Sequence, residues 1–89
     1  MNTGRGKPPP GNGIRMIYSR IHSQKTDGTY CGDWLFAGGD PLKALDRFFR
    51  EYPAHRHNRI TIEPFDPDEN EAARGLYKAM KECDCVYTW

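Results

Sequence analysis

An Asp27-Gly28 dipeptide lies between two runs rich in Ile, Tyr, Trp and Phe, residues 14–22 and 29–37. Such runs are typical of β-strands. Asp-Gly suits a type I′ turn, because both central residues of that turn need a positive φ. The sequence therefore predicts a hairpin with a tight two-residue loop.

A two-residue loop would also determine which side chains share a face of the hairpin. The residue numbers of each cross-strand pair would then sum to 55, so that Ile21 faces Trp34 and Ile17 lies on the same side. This side is apolar, and we expect it beneath the helices. The opposite side, with Tyr18 and Leu35, is expected to stay open. A loop of three or more residues would exchange the two faces.

Two helices are predicted where an aspartate precedes a proline, at Asp40-Pro41 and Asp66-Pro67. Each dipeptide offers a capping carboxylate and a proline whose missing N–H costs nothing at the first helical position. Apolar residues recur at helical spacing after each dipeptide. With a short strand after each helix, the element order is β-β-α-β-α-β. The predicted fold class is α+β, a two-layer sandwich with two helices on one face of a four-stranded sheet.

Composition places these elements in one small domain. Residues 1–13 hold four Gly and three Pro, so we expect a flexible basic tail followed by a single α+β domain over residues 14–89. Thirteen Lys and Arg against twelve Asp and Glu give a net charge of +1, so no global field attracts nucleic acid or a membrane. No apolar run approaches the roughly 18 residues of a membrane span. The three cysteines and the start of the chain, which lacks an export signal, favour reduced thiols in the cytoplasm.

The side of the hairpin expected to stay open is the candidate contact surface. It mixes apolar bodies with polar tips, and Tyr, Arg and Met are enriched at protein interfaces. We therefore expect a small interaction module, an inhibitor or adaptor that binds and occludes a larger protein or nucleoprotein complex. The predicted contact residues are Met16, Tyr18, Arg20, His22, Asp33, Leu35 and Arg59.

Catalysis has one candidate pair, His22 opposite Asp33 across the hairpin. A carboxylate can orient an imidazole and favour its charged form. A nucleophile would have to come from Ser19, Ser23 or Cys31, and the sequence holds no nucleophile-elbow motif. We therefore expect no enzymatic activity and no cofactor.

A second hypothesis is nucleic-acid binding through the densest basic region, residues 47–59, together with the tail. Clustered Lys and Arg neutralise phosphates and release counterions. Asp46 and Glu51 are interspersed with these bases, and no RNA-recognition signature is present. The residues of this alternative are Arg47, Arg50, Arg56 and Arg59.

A third hypothesis is a small zinc-binding domain. Two histidines and two cysteines occur as pairs separated by one residue, a spacing that puts both members of a strand pair on one side. Together they would form a Cys₂His₂ set, although structural zinc sites favour Cys-x₂₋₄-Cys spacing. The ligands of this alternative are His55, His57, Cys83 and Cys85.

A short chain with a hairpin and two capped helices across residues 14–89 resembles small phage-encoded accessory proteins, including anti-CRISPR inhibitors. The resemblance concerns size and element order, and it carries over no functional residue. Such proteins generally occlude a site on a larger host machine. The resemblance therefore implies a binder without catalytic activity.

Overall fold

A computed structural model describes residues 16–88, so the predicted tail over residues 1–13 lies outside the described residues. The predicted α+β class and the order β-β-α-β-α-β are confirmed within the described part of the chain. The sequence missed a 3₁₀ helix between α1 and β3. The elements are β1 (Tyr18–Gln24), β2 (Tyr30–Ala37), α1 (Pro41–Glu51), the 3₁₀ helix (Pro53–His57), β3 (Arg59–Phe65), α2 (Glu71–Glu82) and β4 (Val86–Tyr87).

The hairpin turn is one residue longer than predicted. The Lys25 N–H donates to the Thr29 carbonyl at 2.8 Å, and the Gly28 N–H donates to the Lys25 carbonyl at 2.8 Å. Gly28 has a φ of +94°, a conformation that glycine adopts without a steric penalty. The Asp27 side chain accepts from the Thr29 N–H at 2.9 Å. The loop therefore has three residues, and the predicted two-residue turn is wrong.

A β-bulge beside the turn restores the predicted register. Gln24 lies opposite Tyr30, and their residue numbers sum to 54. Ser23 lies opposite Gly32, and their residue numbers sum to the predicted 55. One extra residue of β2, Cys31, is taken up between these two pairs. Because the bulge cancels the shift made by the longer loop, the predicted pairs from residue 18 to residue 22 of β1 are all present.

The strand order is β3-β1-β2-β4. β1 is antiparallel to both of its neighbours, and β4 is parallel to β2. The connection from β2 through α1 to β3 crosses over β1 and ends at one edge of the sheet. The connection from β3 through α2 to β4 crosses back to the other edge. Both connections join parallel strands, and such crossovers are right-handed. Because the two connections cross the sheet in opposite directions, their helices lie on opposite faces.

The packing agrees with this topology. Phe48 and Ala44 of α1 are buried against Ile21, Trp34 and Phe36, which is the predicted apolar side of the hairpin. Met80 of α2 lies in a second cluster on the other face. The predicted placement of both helices on one face is therefore wrong. Local sequence patterns determine which residues share a strand face, but they do not contain the strand order.

The two helices begin differently. Asp40 caps α1 as predicted, accepting from the Leu42 N–H at 3.0 Å. Asp66 instead accepts from the Asp68 N–H at 2.8 Å and closes a turn before the helix. α2 therefore begins later than predicted, and Asn70 caps it.

Candidate functional site

The sheet face predicted to stay open is half covered by α2. Tyr18 and Leu35 are 4% and 0% exposed, beneath the helix. The Tyr18 hydroxyl lies 3.0 Å from the Tyr77 hydroxyl, and burial together with this hydrogen bond raises the pKa of Tyr18 to about 12. The prediction that Tyr18 and Leu35 form a contact surface is therefore wrong. Their apolar bodies supply the area that the apolar stripe of α2 needs to bury.

The other half of this face, at the hairpin-turn end of β1, β2 and β3, is not covered by any of residues 16–88. Four of the seven predicted contact residues lie here, and Met16, which is 52% exposed, lies outside it before the start of β1. We call this surface the open half-face. Its residues are Arg20, His22, Gln24, Tyr30, Asp33, Arg59, Thr61 and Glu63.

The Asp33 carboxylate contacts three other residues of the open half-face. Its Oδ2 accepts from the Arg20 guanidinium at 3.0 Å and from the Tyr30 hydroxyl at 3.4 Å. Its Oδ1 lies 2.6 Å from Nδ1 of His22, and the ring of His22 is 5.5 Å from that of Tyr30. Burial raises the pKa of Asp33, but the hydrogen bonds from Arg20 and His22 outweigh it and hold the pKa below its usual value. One carboxylate therefore positions three side chains.

A shallow cavity of about 180 Å³ opens beside this network. It is lined by Arg20, His22, Thr61 and Glu63. The Glu63 carboxylate lies 3.9 Å from the Arg20 guanidinium. Bases and acids are interspersed here, so the surface favours a partner that presents both signs of charge over a phosphate group.

The predicted His22–Asp33 pair is present, but the candidate serine nucleophiles lie elsewhere. Ser19 and Ser23 are buried on the α1 face, 3% and 0% exposed. A substrate bound at the open half-face would be separated from both hydroxyls by the sheet. The pair therefore orients an imidazole at a protein surface without a neighbouring serine.

The four arginines of the nucleic-acid hypothesis lie on three different elements. Arg47 and Arg50 lie on α1 and are paired four residues away along the helix, with Glu51 at 3.6 Å and with Asp46 at 3.1 Å. Two other arginines, Arg56 and Arg59, lie on different elements: the Arg56 guanidinium lies over the Phe49 ring, and Arg59 begins β3.

The four zinc ligands of the third hypothesis are not brought together. The Nδ1 of His55 is 2.9 Å from the Ser23 Oγ, and Asn58 donates to the same hydroxyl at 3.1 Å. The 3₁₀ helix, which the sequence did not predict, thus turns His55 inward against the Trp34 ring. Within residues 16–88, no three His, Cys, Asp or Glu residues are grouped closely enough to hold a metal ion.

The sequence did not predict the groove that lies between α2 and the outer edge of β2. Its volume is about 310 Å³, and residues 30–34 of β2 line one side of it. The α2 side consists of Leu76, Ala79, Met80 and Cys83, and Cys85 closes one end. β4 pairs with Leu35 and Phe36, and within residues 16–88 no strand lies beside residues 30–33 of β2. We call this feature the β2–α2 groove.

In the part of the chain that the structure describes, no helix is both long and apolar enough to cross a membrane. No protein-family model, curated protein or solved structure matches this chain. The functional assignment therefore depends on the geometry of the site.

Proposed function

We propose that this chain is a non-catalytic protein-interaction module that binds a larger protein through the open half-face. The observation that carries the proposal is the single Asp33 carboxylate, which holds Arg20, His22 and Tyr30 in place on an uncovered sheet surface. Side chains that are held before binding lose less conformational entropy when a partner docks. Arg and Tyr are also residue types that often dominate the binding energy of interfaces.

The proposed role is that of an inhibitor or adaptor in the cytoplasm. The chain resembles small phage-encoded accessory proteins such as anti-CRISPR inhibitors in size and element order. This resemblance supports the role of an inhibitor over that of an adaptor. The open half-face presents bases and acids side by side, which favours a partner surface of mixed charge. Binding would act by covering a site on that partner.

The test is affinity capture from the native host with quantitative mass spectrometry, using the wild type and matched variants. Tyr30→Ala and Glu63→Lys change exposed side chains of the open half-face, so both proteins should fold and lose the partner. Lys78→Glu, a charge reversal at an exposed position of α2, should retain it. A partner captured equally well by Tyr30→Ala and Glu63→Lys would contradict the proposal, as would loss of the partner in Lys78→Glu.

Nucleic-acid binding is the second candidate. It is favoured by Arg56 and Arg59, whose side chains form none of the ion pairs found within residues 16–88. Fluorescence anisotropy with RNA and DNA oligonucleotides should then show an affinity that falls with salt, with a smaller slope in the Arg56→Gln/Arg59→Gln double variant. An anisotropy that stays constant at low salt would remove this candidate.

A further inference from the structure

We propose that the β2–α2 groove binds an extended segment of a partner protein. The segment would add as a strand along the free edge of β2 and place one apolar side chain, next to a Lys or Arg, in the groove. The groove adjoins the open half-face, with which it shares Tyr30 and Asp33, and the binding of a peptide there goes beyond the interaction proposed for that surface.

Beside the groove, the edge of β2 lies beyond the two residues that pair with β4. β4 pairs only with Leu35 and Phe36, and the Leu35 N–H donates outward to the Cys85 carbonyl at 2.9 Å. Backbone groups of alternate residues in a strand point the same way, so the N–H and C=O of Asp33 face this same edge. Within residues 16–88, no strand pairs with β2 here. An unpaired edge of this kind is a template for an added strand.

The residues that line the α2 side of the groove favour an apolar side chain in the bound segment. Its volume of about 310 Å³ is at the lower end of the range for pockets that enclose small molecules, about 300–1,000 Å³. The α2 side is lined by Leu76, Ala79 and Met80. A methionine lines such a site adaptably, because its unbranched side chain fits ligands of different shape.

The charges beside the groove favour a Lys or Arg in the bound segment. Glu82 and Asp84, both exposed, flank the groove residue Cys83. Asp84 has a φ of +58°, and its N–H donates to the Lys81 carbonyl at 3.1 Å, which fixes this connection. The Lys81 ammonium lies over the Tyr77 ring. The acidic connection therefore complements a basic side chain on the incoming strand.

The experiment is a selection of random twelve-residue peptides on the purified full chain. The enriched peptides should share an apolar residue beside Lys or Arg. Synthetic copies should bind the Ala79→Trp variant about tenfold more weakly than the wild type, because the indole fills the groove. Ala72→Trp makes the same change at an exposed α2 position outside the groove lining, and it should bind the peptides as the wild type does.

Amide hydrogen exchange gives a readout at the strand edge. A bound peptide should slow exchange of the Asp33 amide in the wild type and leave it unchanged in Ala79→Trp. Failure to enrich any peptide, or equal binding to Ala79→Trp, would overturn the proposal. Slow exchange at Asp33 without peptide would assign the edge to a second copy or to another segment of this chain, and it would also overturn the proposal. Glu63→Lys should leave peptide binding unchanged, so this proposal and that of the open half-face fail separately.

Discussion

The two faces of the sheet are built from the same two-residue alternation, yet they are covered to different extents. On the α1 face, Ile21, Phe36 and Phe48 are completely buried. On the α2 face, the half at Tyr18 is buried, but the half at Arg20 and His22 remains open. Alternation along a strand therefore sorts side chains between faces, whereas position along the strand decides which of them a helix covers.

The difference follows from what each face offers a helix. The α1 face is apolar at its centre, where the Trp34 and Phe48 rings are 4.8 Å apart and the Phe36 ring is stacked 4.8 Å from that of Tyr87. The α2 face changes from apolar to charged after Tyr18. A helix laid over the charged half would bury carboxylate and guanidinium groups at a large desolvation cost. That half remains available for other contacts.

The largest expected effect is on the α1 face. Phe48→Ala removes a ring that contacts Trp34, Phe36 and Tyr52. It should lower the free energy of unfolding by about 3–5 kcal/mol, as measured by urea denaturation. A variant as stable as the parent would contradict the assignment of Phe48 to the core.

Tyr18→Ala tests the covered half of the other face. Loss of the ring beneath α2 should destabilise the protein by about 3 kcal/mol, so this variant loses stability and not only partner binding. Tyr18→Phe keeps the ring, removes the hydrogen bond to Tyr77, and should lower stability by about 1 kcal/mol. If Tyr18→Ala were as stable as the wild type, α2 would not cover this half.

Gly32→Ala tests the bulge that places the faces in register. An added Cβ would lie 2.7 Å from the Trp34 ring, and Gly32 has a φ of +149°. We expect a loss of about 1–3 kcal/mol in urea denaturation. Gly39→Ala is the control, because no atom lies within 4 Å of its added Cβ. Equal stability of the two variants would contradict the close approach of Trp34 to the strand.

The smallest effect concerns pH and the open half-face. The folded pKa of Asp33 lies below the unfolded value of about 3.9. Its stabilisation is therefore complete above the unfolded pKa and is lost as the pH falls through the folded pKa. Unfolding free energies measured across this acidic range should fall more steeply for the wild type than for Asp33→Asn. Parallel curves would show that Arg20 and His22 do not stabilise the carboxylate.

The sequence predicted the strands and helices of this fold better than it predicted how they are arranged in space. The strand pairs around Ile21 and the cap of α1 at Asp40 are local features, and both were correct. The register was correct only because the bulge offset the longer loop. The placement of α2 depends on strand order, which no local pattern contains. For the same reason Tyr18 was assigned to an open surface, while Arg20 and His22 were placed on it correctly.

Hydroxyl-radical footprinting of the free protein and of its complex with a captured partner tests the central claim most directly. In the free protein, Tyr30 and His22 should be labelled and Tyr18 should be protected by α2. In the complex, labelling of Tyr30 and His22 should fall while the exposed Met16 stays reactive. Labelled Tyr18 in the free protein, or unchanged labelling of Tyr30 in the complex, would contradict the account.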